Sequence, residues 1–238
     1  MATDALFFGA HPDDVELTSA GLAALLASHG HTVAVVDLTR GEAASRGSVD
    51  ERAAEATAAA RTLGVAAREN LALPDLGIDR RDRAQLAAVV GALRRHRPTL
   101  VVAPDDDDAH PDHVEACHLV RRACYVSGLA RFEPGDARHR PTRVLFSLYR
   151  TLRRPDVIVD VSATWSRRMD ALRAHRSQLG GTPGPETYLT APGFLEEIEA
   201  RARTLGAVIG VAYGEAYRTR EPFAVRDARA LIEAGVAA

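Results

Sequence analysis

The run Thr32-Val-Ala-Val-Val-Asp-Leu38 restricts the fold more than any other stretch of the chain. It is β-branched and almost continuously apolar, the pattern of a strand covered on both faces inside a parallel sheet. Its surroundings repeat the theme. Before it, Leu6 to Gly9 is a short apolar strand, and Leu17 to Ser28 is an Ala- and Leu-rich helix closed by Gly30. After it, a polar loop from Thr39 to Ser48 leads into an Ala-rich helix from Asp50 to Leu63, with Ser48 and Glu51 spaced as a capping box and Gly64 at the end. A weak strand at Asn70 to Leu73, a turn at Pro74 to Gly77 and a helix from Arg80 to His96, stopped before Pro98, follow. Leu100 to Ala103 is the fourth strand, and Asp112 to Gly128 is a helix with an apolar face.

Farther on, the pattern predicts strands at Arg143 to Tyr149 and Val157 to Val161, helices at Thr164 to His175 and Pro192 to Leu205, and a Gly/Pro-rich loop at Gly180 to Pro185. The expected fold is therefore α/β. It is a Rossmann-like doubly wound, mainly parallel sheet with helices on both faces, strand order 3-2-1-4-5 and an irregular C-terminal extension. No linker divides the chain, and 238 residues suit one domain spanning 1–238.

Such sheets bind ligands at the carboxyl ends of their strands, where the strand order reverses. In the expected order, strands 1 and 4 flank that point. The loops that follow them carry Ala10-His-Pro-Asp-Asp14 and His110-Pro-Asp-His113. A single His-Pro-Asp is commonly just a helix start, because Pro suits the first helical position and Asp the N-terminal end. Two of them at matching strand ends indicate one shared site.

Histidine and aspartate donors without cysteine suit zinc or a related first-row divalent metal. His11 and Asp14 are three residues apart and can face one point, with His113 as third ligand. Asp13 is then left beside the metal to accept a proton from its water, the arrangement of metal-assisted hydrolysis. His110 remains near the metal and, oriented by Asp112, would be held protonated to stabilise an oxyanion or protonate a leaving amine. The acidic run Asp105 to Asp108 reads as a solvated loop. His29, His31, His96, His118, His139 and His175 have no metal-ligand partner at useful spacing and read as surface or packing residues.

Composition narrows the partners. With 30 basic and 32 acidic residues the chain has no electrostatic footprint for nucleic acid. No Gly-x-Gly-x-x-Gly follows the first strand and no Walker sequence is present, so a nucleotide site is not expected. No stretch resembles a signal peptide or membrane span, which predicts a soluble cytoplasmic protein. Cys117 and Cys124, seven apart on one helix, would be about 10 Å apart and too far for a disulfide.

The two motifs in this order make the chain resemble the LmbE-like, or PIG-L, deacetylase family of zinc hydrolases acting on N-acetylglucosamine conjugates. The resemblance extends through Leu38-Thr-Arg-Gly-Glu42, Arg46-Gly47, Leu73-Pro-Asp75, Val159-Asp-Val-Ser162, Ala171-Leu-Arg-Ala174, Ser177-Gln178 and Gly210-Val-Ala-Tyr-Gly-Glu215. It is similar above all to the bacillithiol-pathway branch, the N-acetyl-α-D-glucosaminyl L-malate deacetylases. The resemblance implies His11, Asp14 and His113 as Zn2+ ligands, Asp13 as general base, and His110 with Asp112 as the electrostatic or acid partner. It further implies Arg52 and Asp75 at the sugar, a small-molecule sugar conjugate as substrate, and a trimer or hexamer. Alternatives within this reading are another glycan or thiol conjugate, such as a chitooligosaccharide or glucosaminyl-inositol. A metal-dependent sugar-binding protein without turnover is the alternative outside it.

Two positions depart from the family pattern. Asp108 stands where some relatives have a tyrosine able to help the oxyanion. Ala109 stands where bacillithiol members often have an arginine suited to the malate carboxylates.

Overall fold

The computed structural model describes residues 2–133, 135 and 137–222. The first half alternates strand and helix as the apolar runs predict: β1 (Ala5–Gly9), α1 (Asp14–Thr18), α2 (Ala20–Ser28), β2 (Val33–Thr39), α3 (Val49–Leu63), β3 (Ala67–Leu73), α4 (Arg83–His96), β4 (Leu100–Pro104) and α5 (Pro111–Val126). Strands β5 (Arg143–Ser147) and β6 (Val157–Asp160), helices α6 (Trp165–Arg173) and α7 (Phe194–Val208), and strand β7 (Gly214–Arg218) follow, with short 3-10 turns at Ser162–Thr164 and Tyr188–Thr190.

The seven strands form one mixed sheet in the order β3-β2-β1-β4-β5-β7-β6. The β3-β2-β1-β4-β5 portion is parallel, as expected, and β7 runs antiparallel to both β5 and β6. Alternate residues of β1 serve opposite faces. Leu6 and Phe8 join a core with Leu86, Val89 and Leu93 of α4 and Leu119 and Val120 of α5. Ala5 and Phe7 join a second core with Leu22 and Ala23 of α2. This two-sided cover is why β2 reads as an almost continuous apolar run: all seven of its residues are buried, Asp37 and Thr39 included.

Three local differences from the sequence expectation have physical causes. The helix expected from Leu17 to Ser28 is broken at Ser19 into α1 and α2. The break frees backbone N–H groups of Gly21 and Leu22, and both donate to the buried carboxylate of Glu215 at 2.8 Å. Glu215 belongs to β7, which falls in the part of the chain expected to be irregular. The remainder of that expected irregular extension, residues 223–238, lies outside the described residues. Finally, β3 begins at Ala67, not Asn70. It is an edge strand with a largely exposed, polar pattern that hydrophobic periodicity does not register.

The capping box at α3 forms as its spacing predicts: Glu51 N–H donates to Ser48 Oγ at 3.2 Å, and Ser48 N–H to Glu51 Oε2 at 2.7 Å. Cys117 and Cys124 are free, buried thiols on α5. Among the described residues no helix is long and apolar enough to cross a membrane.

Candidate metal centre and active site

β1 and β4 are hydrogen-bonded neighbours, so the loops leaving their carboxyl ends meet. His11 lies in the first loop, Asp13 caps α1 and Asp14 opens it. In the second loop His110 is the N-cap of α5, Pro111 takes the first helical position, and Asp112 and His113 complete the turn. The ring centroids of His11, His110 and His113 are separated by 4.7, 5.4 and 4.9 Å.

Asp14 bridges the two segments. Its Oδ2 is 3.5 Å from Nδ1 of His11 and its Oδ1 is 3.1 Å from Nε2 of His113. Zinc–nitrogen and zinc–oxygen bonds of about 2.0 Å in a tetrahedron set ligand atoms about 3.3 Å apart. The two measured separations bracket that value, each through a different oxygen of Asp14. Two overlapping donor groups also converge here, His11 with His110 and His113, and His11 with Asp75 and Asp112.

The opposite ring nitrogen of His11 faces carboxylates. Its Nε2 is 3.1 Å from Asp75 Oδ1 and 3.5 Å from Asp112 Oδ2. A carboxylate on one imidazole nitrogen directs the other toward a metal. Asp75, expected at the sugar, is itself held by the Ala43 N–H at 2.8 Å. Asp112 accepts from Leu76 N–H at 2.7 Å. In place of the expected contact between the Asp112 carboxylate and His110, only the Asp112 backbone N–H reaches that ring, donating to Nδ1 at 3.2 Å. A ring accepting at Nδ1 is neutral and carries its proton on Nε2. The electrostatics agree: burial and the neighbouring His11 and His113 charges lower the His110 pKa.

Burial alone would lower the pKa of His11, but bonds to Asp112, Asp14 and Asp75 lift it to about 12. His113 follows the same balance, with burial overcome by Asp14 and Asp108, and reaches about 10. Asp14 is held well below the usual carboxylate range, its burial outweighed by His113 and His11. Hydrogen bonding from His11 takes Asp75 down to about 2.

Arg52, on α3, is 3% exposed. Its Nη2 donates to Asp13 Oδ1 at 3.2 Å and its Nη1 to the Gly41 carbonyl at 3.0 Å, while Nε is buried without a partner. The guanidinium therefore faces Asp13. Gly41 makes this possible: its φ is +66° and a Cβ there would sit 1.8 Å from Arg52 Nη1.

The acidic run is only in part the solvated loop that its charge density suggests: Asp107 is exposed, but Asp105 is buried. Arg153 reaches Asp105 at 3.0 Å, Asp106 at 2.5 Å and Asp107 at 3.0 Å, and Arg220 reaches Asp106 at 2.9 Å. Asp108 turns the other way, with Oδ2 3.0 Å from His113 Nδ1. The part of Asp108 in the centre is thus missed by a reading of charge runs. Its only sequence signal is its place two residues ahead of His110.

A mainly parallel α/β sheet with histidines and carboxylates converging beyond β1 and β4 defines the class: an α/β protein with a His/Asp group able to hold a metal at the topological switch point. Comparison with known proteins narrows it. The PIG-L family, described as GlcNAc-PI de-N-acetylase, matches residues 6–124. The chain belongs to this family.

A 1D-myo-inositol 2-acetamido-2-deoxy-alpha-D-glucopyranoside deacetylase of Mycobacterium sp. (strain KMS) is 31% identical over 87% of this chain and 89% of its own. The enzyme of the same name from Rhodococcus opacus (strain B4) is 31% identical, but the match spans 53% of this chain and 55% of that enzyme. A conserved protein from Thermus thermophilus superposes with a TM-score of 0.86 at 33% identity over 94% of this chain and 97% of its own. The N,N'-diacetylchitobiose deacetylase of Pyrococcus horikoshii superposes at 0.79 with 25% identity, over 91% and 83%.

Proposed function

We propose that this protein is a metal-dependent N-deacetylase that hydrolyses the acetamide of an N-acetylglucosamine conjugate to acetate and a free amine. The observation that carries the reading is the bridging of His11 and His113 by Asp14, with Asp13 buried next to it. A divalent first-row cation, zinc foremost, held by His11, Asp14 and His113 would polarise the acetamide carbonyl and acidify the attacking water.

The remaining work falls to this chain's own side chains. Asp13 takes the proton of the attacking water and returns it to the departing nitrogen, so that water and amide leave as acid and amine. Arg52 fixes the direction of the Asp13 carboxylate through its 3.2 Å contact. His110, held at Nδ1 by the Asp112 N–H, offers its Nε2 proton to the oxygen on which charge develops. Asp75 and the Asp112 carboxylate hold His11 by its Nε2.

For the conjugate, glucosaminyl-inositol comes first, because the named relatives from Mycobacterium and Rhodococcus act on the inositol acetamide. Ala109 offers no guanidinium to malate carboxylates, which ranks the malate conjugate second. The test is acetate release by the metal-loaded protein from the acetamides of glucosaminyl-inositol, glucosaminyl-malate and chitobiose. Turnover fastest on the inositol conjugate supports the order given. No acetate from any of the three refutes the activity.

A further inference from the structure

Asp108 stands at the end of the acidic run, just ahead of α5. The other three carboxylates of the run face Arg153, whereas Asp108 contacts the second histidine motif twice. Its Oδ1 accepts the backbone N–H of His110 at 2.8 Å, and its Oδ2 stands 3.0 Å from His113 Nδ1. The opposite nitrogen of the same ring, Nε2, stands 3.1 Å from Asp14 Oδ1. His113 is thus gripped between two carboxylates, with side-chain exposures of 12% for the imidazole and 13% for Asp108.

A neutral imidazole has one N–H and one lone pair. If Asp108 receives the N–H at Nδ1, the lone pair is left on Nε2 and points at Asp14. His11 shows the mirror case: Asp75 faces its Nε2, and Nδ1 is the atom turned toward Asp14. Each of the two rings therefore has its own carboxylate on the side away from Asp14. The two grips come from different loops, one after β3 and one after β4.

We propose that Asp108 is a positioning residue of the metal centre: it holds His113 as the Nδ1–H tautomer, so that Nε2 is the ligating atom, and its negative charge strengthens that nitrogen as a donor. The inference rests on the metal reading above. It concerns retention of the cation, and the bond-breaking step is untouched by it.

Asp108→Asn removes the charge while keeping an oxygen for the His110 N–H. Zinc affinity, measured by competition with a chromogenic chelator, is expected to fall about 10- to 100-fold at unchanged stoichiometry. The visible absorption of the cobalt-loaded variant is expected to shift, a signature that a purely architectural role would not move. An affinity within twofold of the parent with an identical cobalt spectrum overturns the proposal and leaves the metal reading standing. A parent protein that binds no zinc overturns both.

Long-range 1H–15N spectra of the zinc-loaded parent supply a test independent of how the variant folds. A protonated Nδ1 and a metal-shifted Nε2 on His113 are expected, and the reverse pattern overturns the assignment.

Discussion

The guanidinium of Arg52 lies 3.2 Å from the carboxylate of Asp13, with both side chains buried. Nη1 of Arg52 is at the same time tied to the Gly41 carbonyl, so the pair is anchored to the loop after β2. Asp13 is thereby confined to one direction, next to Asp14 but bonded to a different partner.

This separation of roles gives the first prediction. Asp13→Asn keeps the volume and removes the base, so turnover should fall by about 10²- to 10⁴-fold. Zinc stoichiometry, determined by elemental analysis, should stay at the parent value. Loss of metal with the substitution would move Asp13 into the ligand set.

Metal loading should depend steeply on pH. Against burial, the surrounding carboxylates raise His11 to about 12 and His113 to about 10, so both rings are protonated in the metal-free protein at neutral pH. A cation can bind only as those protons leave, and apparent affinity should rise with pH up to the range of about 10 to 12. Calorimetric titration of zinc in buffers of different ionisation enthalpy should report about two protons released at pH 7. Release near zero would mean that these rings are not the ligands. The sign for folding is opposite. Both pKa values lie above the unfolded value of about 6.5, so this contribution to metal-free stability is complete below that pH and is lost as pH rises through about 10 to 12.

Glu215 supplies a test of the scaffold. Its carboxylate accepts from Gly21, Leu22 and Tyr217 and pairs with Arg168 at 3.3 Å. Glu215→Ala leaves a buried guanidinium and the start of α2 without their partner, which costs about 3 to 5 kcal/mol in comparable cases. Denaturant unfolding should show a loss of that order. A change below about 1 kcal/mol would mean that the Arg168 pair contributes little to stability.

The parallel half of the fold was legible because strands buried on both faces leave continuous apolar runs, as at Val33–Thr39, and those runs alternate with capped helices. The two His-Pro-Asp segments were legible as one site for the same reason, since strand order alone brings the ends of β1 and β4 together. What could not be read depends on partners distant in sequence. The break at Ser19 is satisfied by a carboxylate 194 residues from Gly21. Asp105 and Asp106 looked like unpaired charge because Arg153 lies more than 40 residues away. Asp75 and His11 are 64 residues apart, and no local pattern marks them as a pair. β7 carries a buried Glu at the second position of Gly-Glu-Ala-Tyr-Arg, so apolar periodicity passes over it.

Gly41 and Gly30 form a matched pair for the last prediction. Both have positive φ, +66° and +84°, so alanine at either pays the left-handed backbone cost of about 1 to 2 kcal/mol. Around Gly30 nothing lies within 4 Å of an added Cβ, and that cost is the whole effect. At Gly41 the same methyl would meet Arg52 Nη1 at 1.8 Å and force the guanidinium off Asp13. Gly41→Ala should therefore lose more stability than Gly30→Ala in denaturant unfolding, and it alone should lower kcat while zinc stoichiometry holds. Equal turnover in the two variants would show that the direction Arg52 imposes on Asp13 does not matter to the reaction.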